Sequence, residues 1–97
     1  MSDIFHLKGY QIILSKQAKK DLNRIDNKNV SSILGKLKKL VQGYTNLDIK
    51  KLKQAAFPRY RLRQGDYRVI FEIQNKILVI LVVGAGHRRE IYKRMGV

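Results

Sequence analysis

The spacing of apolar residues changes once along this chain, and that change limits the fold that the chain can adopt. Between positions 30 and 42 the apolar residues recur three and four apart, which predicts an amphipathic helix that ends near Gly43. From Arg59 the period becomes two, and Arg59–Arg63 alternates basic with apolar residues, as a strand with one wet and one packed face does. Helices followed by a run of strands predict the α+β class.

Another helix and a strand are predicted before this helix. Residues 10–14 are apolar and β-branched, and they predict a first strand. Ser15 is a suitable N-cap for a helix that follows at once. Residues 27–29 predict a break before the helix at 30–42, so the two helices should form an antiparallel hairpin.

Three more strands are predicted after a connection that contains the only proline, Pro58. These strands are residues 59–63, 67–73 and 77–83. Gly84–Gly86 should stop the last strand, and residues 87–95 should form a basic tail of one or two helical turns. The predicted fold is a single domain over residues 1–97, with an N-terminal strand, a helical hairpin, a three-stranded antiparallel meander and a short basic C-terminal helix.

Positive charge is the strongest compositional signal. The 97 residues include 21 Lys and Arg against 7 Asp and Glu, which gives a net charge of +14. Such an excess destabilises the compact state by self-repulsion, so a polyanionic partner is expected: nucleic acid, an anionic membrane or an acidic protein. The chain has no cysteine, and we expect neither a signal peptide nor a membrane span, so the expected location is the cytoplasm.

The pattern places much of this charge on one strand face. Arg61 and Arg63 share a face of the strand at 59–63, and a tight turn at residues 64–66 would bring Arg68 back beside Arg63. Further basic residues flank this region in the sequence: Lys50, Lys51 and Lys53 before it, and His87, Arg88 and Arg89 after it. Arginine presents a planar fork of donors that matches phosphate oxygens, so these residues predict a phosphate-binding surface.

The available side chains limit the chemistry at such a surface. No spaced set of His, Cys or carboxylate residues supports a metal, and no glycine-rich phosphate loop is present, so neither a metal nor a cofactor is expected. Acid–base and electrostatic chemistry by His87, Tyr92 and the arginines remains. That set suits RNA, which supplies its own nucleophile in the 2′-hydroxyl. Asp66 and Glu72 are expected to serve in a turn or a salt bridge.

Two sequence segments resemble the RelE/ParE superfamily of toxins from toxin–antitoxin systems. They read YRLRQGDYRVIFEI at residues 60–73 and GHRREIYKR at residues 86–94, and the Lys51-Leu-Lys53 stretch also resembles that superfamily. The resemblance covers nearly the whole chain. It implies a metal-independent endoribonuclease that cuts messenger RNA in the ribosomal A site, as in the RelE branch, or a DNA gyrase inhibitor, as in the ParE branch. A non-enzymatic module that binds nucleic acid or antitoxin is a third alternative.

The resemblance also implies roles for individual residues. Arg68 and Arg88 would stabilise the phosphate in the transition state, and His87 could be the base or acid. The other implied catalytic residues are Arg61 and Tyr92, and the implied RNA-binding residues are Lys51, Lys53, Arg63 and Arg89. The implied partners are the ribosome with its messenger RNA and a cognate antitoxin that covers the basic site.

Overall fold

Five strands of the described residues form one mixed sheet. The computed structural model describes residues 7–52 and 58–95. Its elements are β1 (Gln11–Leu14), α1 (Lys16–Asn23), α2 (Asn27–Val41), β2 (Ile49–Lys51), β3 (Arg59–Gln64), β4 (Tyr67–Gln74), β5 (Val79–His87) and α3 (Arg88–Met95). The strand order is β1-β5-β4-β3-β2, with β1 parallel to β5 and the other pairs antiparallel. The predicted α+β fold with a mostly antiparallel sheet is confirmed.

The helical hairpin is also confirmed, although its break lies earlier than predicted. Ser15 caps α1 by accepting a hydrogen bond from the backbone of Ala18. The prediction of a break at residues 27–29 was wrong, because α2 already begins at Asn27. Asp26 is its N-cap and accepts hydrogen bonds from both the backbone and the side chain of Asn29. A capping carboxylate therefore turns a polar segment into the first turn of the helix.

The hairpin packs on one face of the sheet, which we call the hairpin face. Fifteen buried apolar residues form this core, and they come from the helices, the strands, Leu7 and Ile25. Among them are Ile33, Leu37, Tyr60 and Phe71, and the last two stack with their ring centroids 5.6 Å apart. Within the described part of the chain, no helix is long and apolar enough to cross a membrane.

The connection at 44–58 contains a strand that the sequence did not predict. Residues Ile49–Lys51 form β2 and pair with β3 at the edge of the sheet, with Lys50 opposite Arg61 and Lys51 opposite Tyr60. Three residues are too few to establish a period of two in the sequence, so only the pairing with β3 reveals the strand.

The last strand is displaced from its predicted position. β5 covers Val79–His87 rather than residues 77–83. Ile77 and Leu78 are 63% and 55% exposed in the preceding turn, not buried. The glycines at 84 and 86 do not stop β5, because they pair with Ile70 and Arg68 of β4. The pairing of β5 with β4 therefore outweighs the tendency of these two glycines to form a turn.

The second face of the sheet, which we call the open face, is covered in part by α3. Cross-strand partners share a face, so Arg68, Ile70, Gly84 and Gly86 all lie on this side. A Cβ added to Gly86 would lie 3.5 Å from Cγ1 of Ile91, which is fully buried. The predicted basic tail is therefore a helix of eight residues that rests on two glycine positions of β5.

Candidate active site on the open face

Three arginines act electrostatically on the hydroxyl of Tyr92 at the open face. Tyr92 lies on α3 and is 40% exposed. The Arg68 side chain donates a hydrogen bond to its hydroxyl, and the positive charges of Arg68, Arg61 and Arg88 all act on it. We call Arg61, Arg68, Arg88 and Tyr92 the arginine–tyrosine cluster. The structure thus brings together four of the five residues predicted to be catalytic.

Arg68 is the most constrained member of the cluster. It is 4% exposed, and its Nη1 atom donates to the carbonyl oxygens of Gly65, at 2.9 Å, and Tyr67, at 3.0 Å. Gly65 has a φ of +59°, which glycine adopts without strain in this tight turn. The Nε atom of Arg68 is buried and has no hydrogen-bond partner. Arg68 is therefore a buried cation, held by the turn carbonyls, with one donor that no group of the protein uses.

Arg61 and Arg63 share an acidic neighbour. The Nη2 atom of Arg61 lies 2.9 Å from Oδ1 of Asp48, and Nη1 of Arg63 lies 3.8 Å from Oδ2 of the same residue. Arg61 is largely buried and its Nε has no partner, whereas Arg63 is exposed. Arg63 pairs across the hairpin with Arg68, as predicted. The carboxylate of Asp48 therefore lies close to the guanidinium groups of both Arg61 and Arg63, and its single negative charge does not neutralise the site.

Arg88 joins the cluster from the first turn of α3. Its backbone N–H donates to the carbonyl oxygen of Asp66 at 2.8 Å, which fixes the start of the helix against the β3–β4 turn. Its side chain is half-exposed, with Nε 4.0 Å from Oδ1 of Asp66. Asp66 thus has the turn role that the sequence predicted, and Glu72 forms the predicted salt bridge, with Arg59.

The arginines change the acidity of Tyr92. The hydrogen bond from Arg68 lowers the pKa of the Tyr92 phenol below its ordinary value of 10.0. Burial opposes this shift, and the charges of Arg68, Arg61 and Arg88 add to it. A larger fraction of this phenol is therefore ionised near neutral pH than in a free tyrosine. Such a group can accept a proton from a substrate hydroxyl.

His87 lies apart from the cluster. It pairs with Tyr67 across the β4–β5 ladder, and the two rings meet edge to face with centroids 5.9 Å apart. Tyr67 packs against the hairpin core, so His87 is on the hairpin face, opposite Arg68. Its Nδ1 accepts a hydrogen bond from the backbone of Arg89 at 3.3 Å. This places the imidazole at the entrance to α3 rather than beside Tyr92.

The predicted RNA-binding residues are spread around the sheet. Arg63 lies beside the cluster, and Arg89 is exposed on α3. Lys51 is exposed on the edge strand but pairs with Tyr60, which faces the hairpin. Lys53 lies outside the described residues.

Asp48 was not predicted from the sequence, and Lys50 was predicted only as part of a basic stretch, with no role of its own. Lys50 lies opposite Arg61 and shares the open face with it, and Asp48 pairs with both Arg61 and Arg63. The register of β2 against β3 was the missing information, because it decides that Lys50 rather than Lys51 faces the cluster. Within residues 7–52 and 58–95, no group of three His, Cys, Asp or Glu side chains could hold a metal ion.

This geometry can be compared with that of known proteins. A family model that describes the ParE toxin of type II toxin–antitoxin systems (parDE) matches residues 12–92. The chain belongs to this toxin family. The predicted membership of the RelE/ParE superfamily is confirmed. A search of curated proteins found no match.

Solved structures of toxins have the same fold. The archaeal RelE–RelB complex from Pyrococcus horikoshii OT3 contains a chain with 26% identity and a TM-score of 0.67, and the match covers 81% of this toxin and 94% of that chain. The RelB–RelE complex from Methanococcus jannaschii matches at 25% identity and a TM-score of 0.69, covering 86% and 98%. The isolated E. coli RelE toxin matches in fold alone, with 17% identity, a TM-score of 0.69 and coverage of 90% and 99%.

Proposed function

We propose that this toxin is a metal-independent endoribonuclease that cleaves messenger RNA in the ribosomal A site. The observation that carries the proposal is the arginine–tyrosine cluster, in which three arginines act on one partly exposed phenol and lower its pKa. RNA cleavage through the 2′-hydroxyl needs a proton acceptor and donors that stabilise charge on the phosphate, and it needs no metal. The cluster contains both.

Each residue of the cluster takes a role in this proposal. The scissile phosphate binds to Arg68 and Arg88, whose donors stabilise the charge that develops on its oxygens. Tyr92 in its ionised form removes the proton from the 2′-hydroxyl. The 2′-oxygen attacks phosphorus to form a 2′,3′-cyclic phosphate and expels the 5′-oxygen, which takes a proton from water. Arg61 keeps the phenolate ionised and contacts the neighbouring phosphate. We assign no step to His87, because it lies on the hairpin face.

We also propose that a cognate antitoxin covers the open face. The two archaeal neighbours are each described as a complex of RelE with RelB. A chain with a net charge of +14 associates fastest with a partner of opposite charge. An acidic or amphipathic segment over the cluster would exclude RNA from Arg68 and Tyr92.

Inhibition of DNA gyrase is the second candidate function. The matching family model describes ParE toxins, and this favours the alternative independently of the cluster. A gyrase inhibitor would arrest growth through DNA damage and leave messenger RNA intact. In that case the arginines would contact an acidic protein surface instead of a scissile phosphate.

The test is induction of the toxin in bacteria, followed by mapping of messenger RNA 5′ ends. Wild type should produce new ends at codons in the ribosomal A site, and Arg88→Ala should produce none. Lys93→Ala, which removes a charge from the exposed side of the same helix, should cut like wild type. Growth arrest with intact messengers would reject the nuclease and lead to a gyrase supercoiling assay, whereas no arrest would favour a non-enzymatic binding module.

A further inference from the structure

The position of Tyr92 depends on how α3 is fixed to the sheet. A helix of eight residues is marginal by itself, so tertiary contacts have to hold it. Its first turn is fixed by the hydrogen bond from the Arg88 backbone to Asp66, and its middle by buried Ile91. The last turn of α3 is held by a separate contact.

That attachment is a buried carboxylate on α1. Asp21 is 3% exposed and forms two parallel hydrogen bonds with Arg94, from Nη1 to Oδ1 at 3.1 Å and from Nη2 to Oδ2 at 2.7 Å. The same carboxylate accepts a bond from the backbone of Ala85 at 3.0 Å and from the side chain of Gln17 at 2.8 Å. Asp21 therefore joins α1, β5 and α3 in one network.

The strand beneath is shaped for this pairing. A Cβ added to Gly84 would lie 3.1 Å from Nη2 of Arg94 and 3.4 Å from Oδ2 of Asp21. A larger residue at position 84 would thus push against the guanidinium–carboxylate pair. Because Gly84 has no side chain, Arg94 can extend across β5 from the open face to Asp21 on α1.

We infer that Asp21 and Arg94 are positioning residues for the active site, because their pairing holds α3 where the Tyr92 hydroxyl meets Arg68. Neither side chain belongs to the arginine–tyrosine cluster, so they act on the reaction through Tyr92. The catalytic part of this inference rests on the proposed nuclease function, whereas the placement of Tyr92 can be measured without any RNA.

The chemistry of the pair suits such a role. Burial alone would raise the pKa of Asp21, but the hydrogen bonds from Arg94, Ala85 and Gln17, together with the charge of Arg94, lower it. The carboxylate is therefore ionised at neutral pH, and its two oxygens receive the fork of Arg94 in one geometry. A lysine could supply the charge but not the two parallel bonds.

The first experiment measures the acidity of Tyr92 in the intact toxin. The protein is labelled with 13C at tyrosine Cζ, the Tyr92 resonance is assigned with Tyr92→Phe, and the pH is varied. Arg94→Gln should move the pKa of Tyr92 upward toward 10.0, because α3 shifts away from Arg68. Lys93→Gln removes the same charge from the neighbouring position and should leave the resonance unchanged. Equal titration curves in the two variants would overturn the inference.

Loss of folding is controlled by a second variant. If Arg94→Gln does not fold, as judged by circular dichroism, Arg94→Lys retains the charge and removes the bidentate geometry. An upward shift of the Tyr92 pKa in Arg94→Lys supports positioning by the fork. An unchanged Tyr92 pKa in a folded Arg94→Lys protein overturns it.

The kinetics of RNA cleavage then test whether the position of Tyr92 affects the reaction. A displacement of about 1 Å can lower a rate on the order of 100-fold, so kcat for RNA cleavage should fall strongly in Arg94→Gln while KM changes little. If Arg94→Gln shifts the Tyr92 pKa but neither the wild type nor any variant cleaves RNA, the positioning inference stands and the proposed function fails. If wild type cleaves RNA and Arg94→Gln matches it in kcat and in the Tyr92 pKa, the positioning inference alone fails.

Discussion

At the scale of single residues, the site depends on one arginine that is held before any substrate arrives. Arg68 is buried, and two carbonyl oxygens of its own hairpin turn orient its guanidinium. An oriented donor stabilises a transition state without reorganising at the moment of reaction. Arg68 is also one of the residues that the sequence placed correctly, because the compact turn at 64–66 fixes its register against Arg63.

We expect the geometry of Arg68 to matter more than its charge for the proposed reaction. Arg68→Lys should lower RNA cleavage by roughly 100-fold, because a single ammonium cannot bond the turn carbonyls, the Tyr92 hydroxyl and a phosphate together. It should also reduce the free energy of unfolding by about 1–3 kcal/mol, since a charged hydrogen-bonding group is lost from a buried site. Single-turnover cleavage and urea denaturation measure the two effects. Arg63→Lys is the matched control at the exposed cross-strand position, and equal losses in both variants would contradict the prediction.

The proton acceptor can be identified from the pH dependence of cleavage. With Tyr92 as the base, the rate rises with pH until the phenol is fully ionised, and the arginines place the midpoint of that rise below 10.0. Tyr92→Phe should lower kcat by about 100-fold or more and remove this limb of the profile. His87→Ala should keep the limb, because the imidazole lies on the hairpin face. Loss of the limb in His87→Ala would return the base role to His87.

At the scale of helices and strands, local sequence patterns fail to predict those elements whose structure depends on pairing with a distant strand. Periodicity predicted α2 and the β3–β4 hairpin, because each buries one regular face. It missed β2, whose three residues are a strand only through pairing with β3. It also ended the last strand too early, because Gly84 and Gly86 lie in β5 beside α3 and not in a turn. The residues that meet across the sheet were therefore less predictable than the strands themselves.

The two glycines of β5 provide a test of helix packing. Gly84→Ala should lower the free energy of unfolding by roughly 1 kcal/mol, since its Cβ would lie 3.1 Å from Arg94 and 3.2 Å from Met95, and tight cores tolerate added methyl groups poorly. Gly86→Ala should change it less, because its closest contact is an ordinary 3.5 Å. Thermal denaturation of both variants is the measurement, and a greater loss in Gly86→Ala would refute the packing described for α3.

The attachment of α3 should also appear in acid stability. The folded pKa of Asp21 is below its ordinary value of 3.8, so its stabilisation is fully present above that pH and is lost as the pH falls through the folded pKa. Asp21→Asn should flatten the decline of stability in acid. The exposed cap Asp26 also has a lowered pKa, through its hydrogen bonds with Asn29, and Asp26→Asn should have a smaller effect. Denaturant titrations from about pH 2 to 6 compare the three proteins, and equal slopes for wild type and Asp21→Asn would be contrary to this expectation.

At the scale of the whole molecule, the two faces of the sheet have different roles. The hairpin face contains the core, and the open face carries the cluster under a single short helix. Composition gave the net charge, and the resemblance gave the superfamily, which the family model confirms. Neither determined that His87 and Arg68 lie on opposite faces, because that depends on strand register.

The charge on the open face should set the salt dependence of RNA binding. If Arg61, Arg68 and Arg88 each neutralise one phosphate of single-stranded RNA, the slope of log affinity against log salt is about −2. Arg88→Gln should reduce its magnitude by about 0.7, and Lys93→Gln should change it less. Fluorescence anisotropy with a short, non-cleavable RNA measures the slope. The same slope in wild type and Arg88→Gln would show that Arg88 contacts no phosphate.

The parallel pairing of β1 with β5 has a consequence for how the toxin forms. Gln11 lies against Val79 and Leu14 against Val82, with the helical hairpin and three other strands between them in the chain. Such distant partners can meet only after a long loop closes, and this entropic cost slows folding relative to helical proteins of the same size. The meander of β3, β4 and β5 needs only short loops and can form early. Addition of β1 to the sheet is then the natural late step, and a newly made toxin acquires its full sheet only when its most distant strands have met.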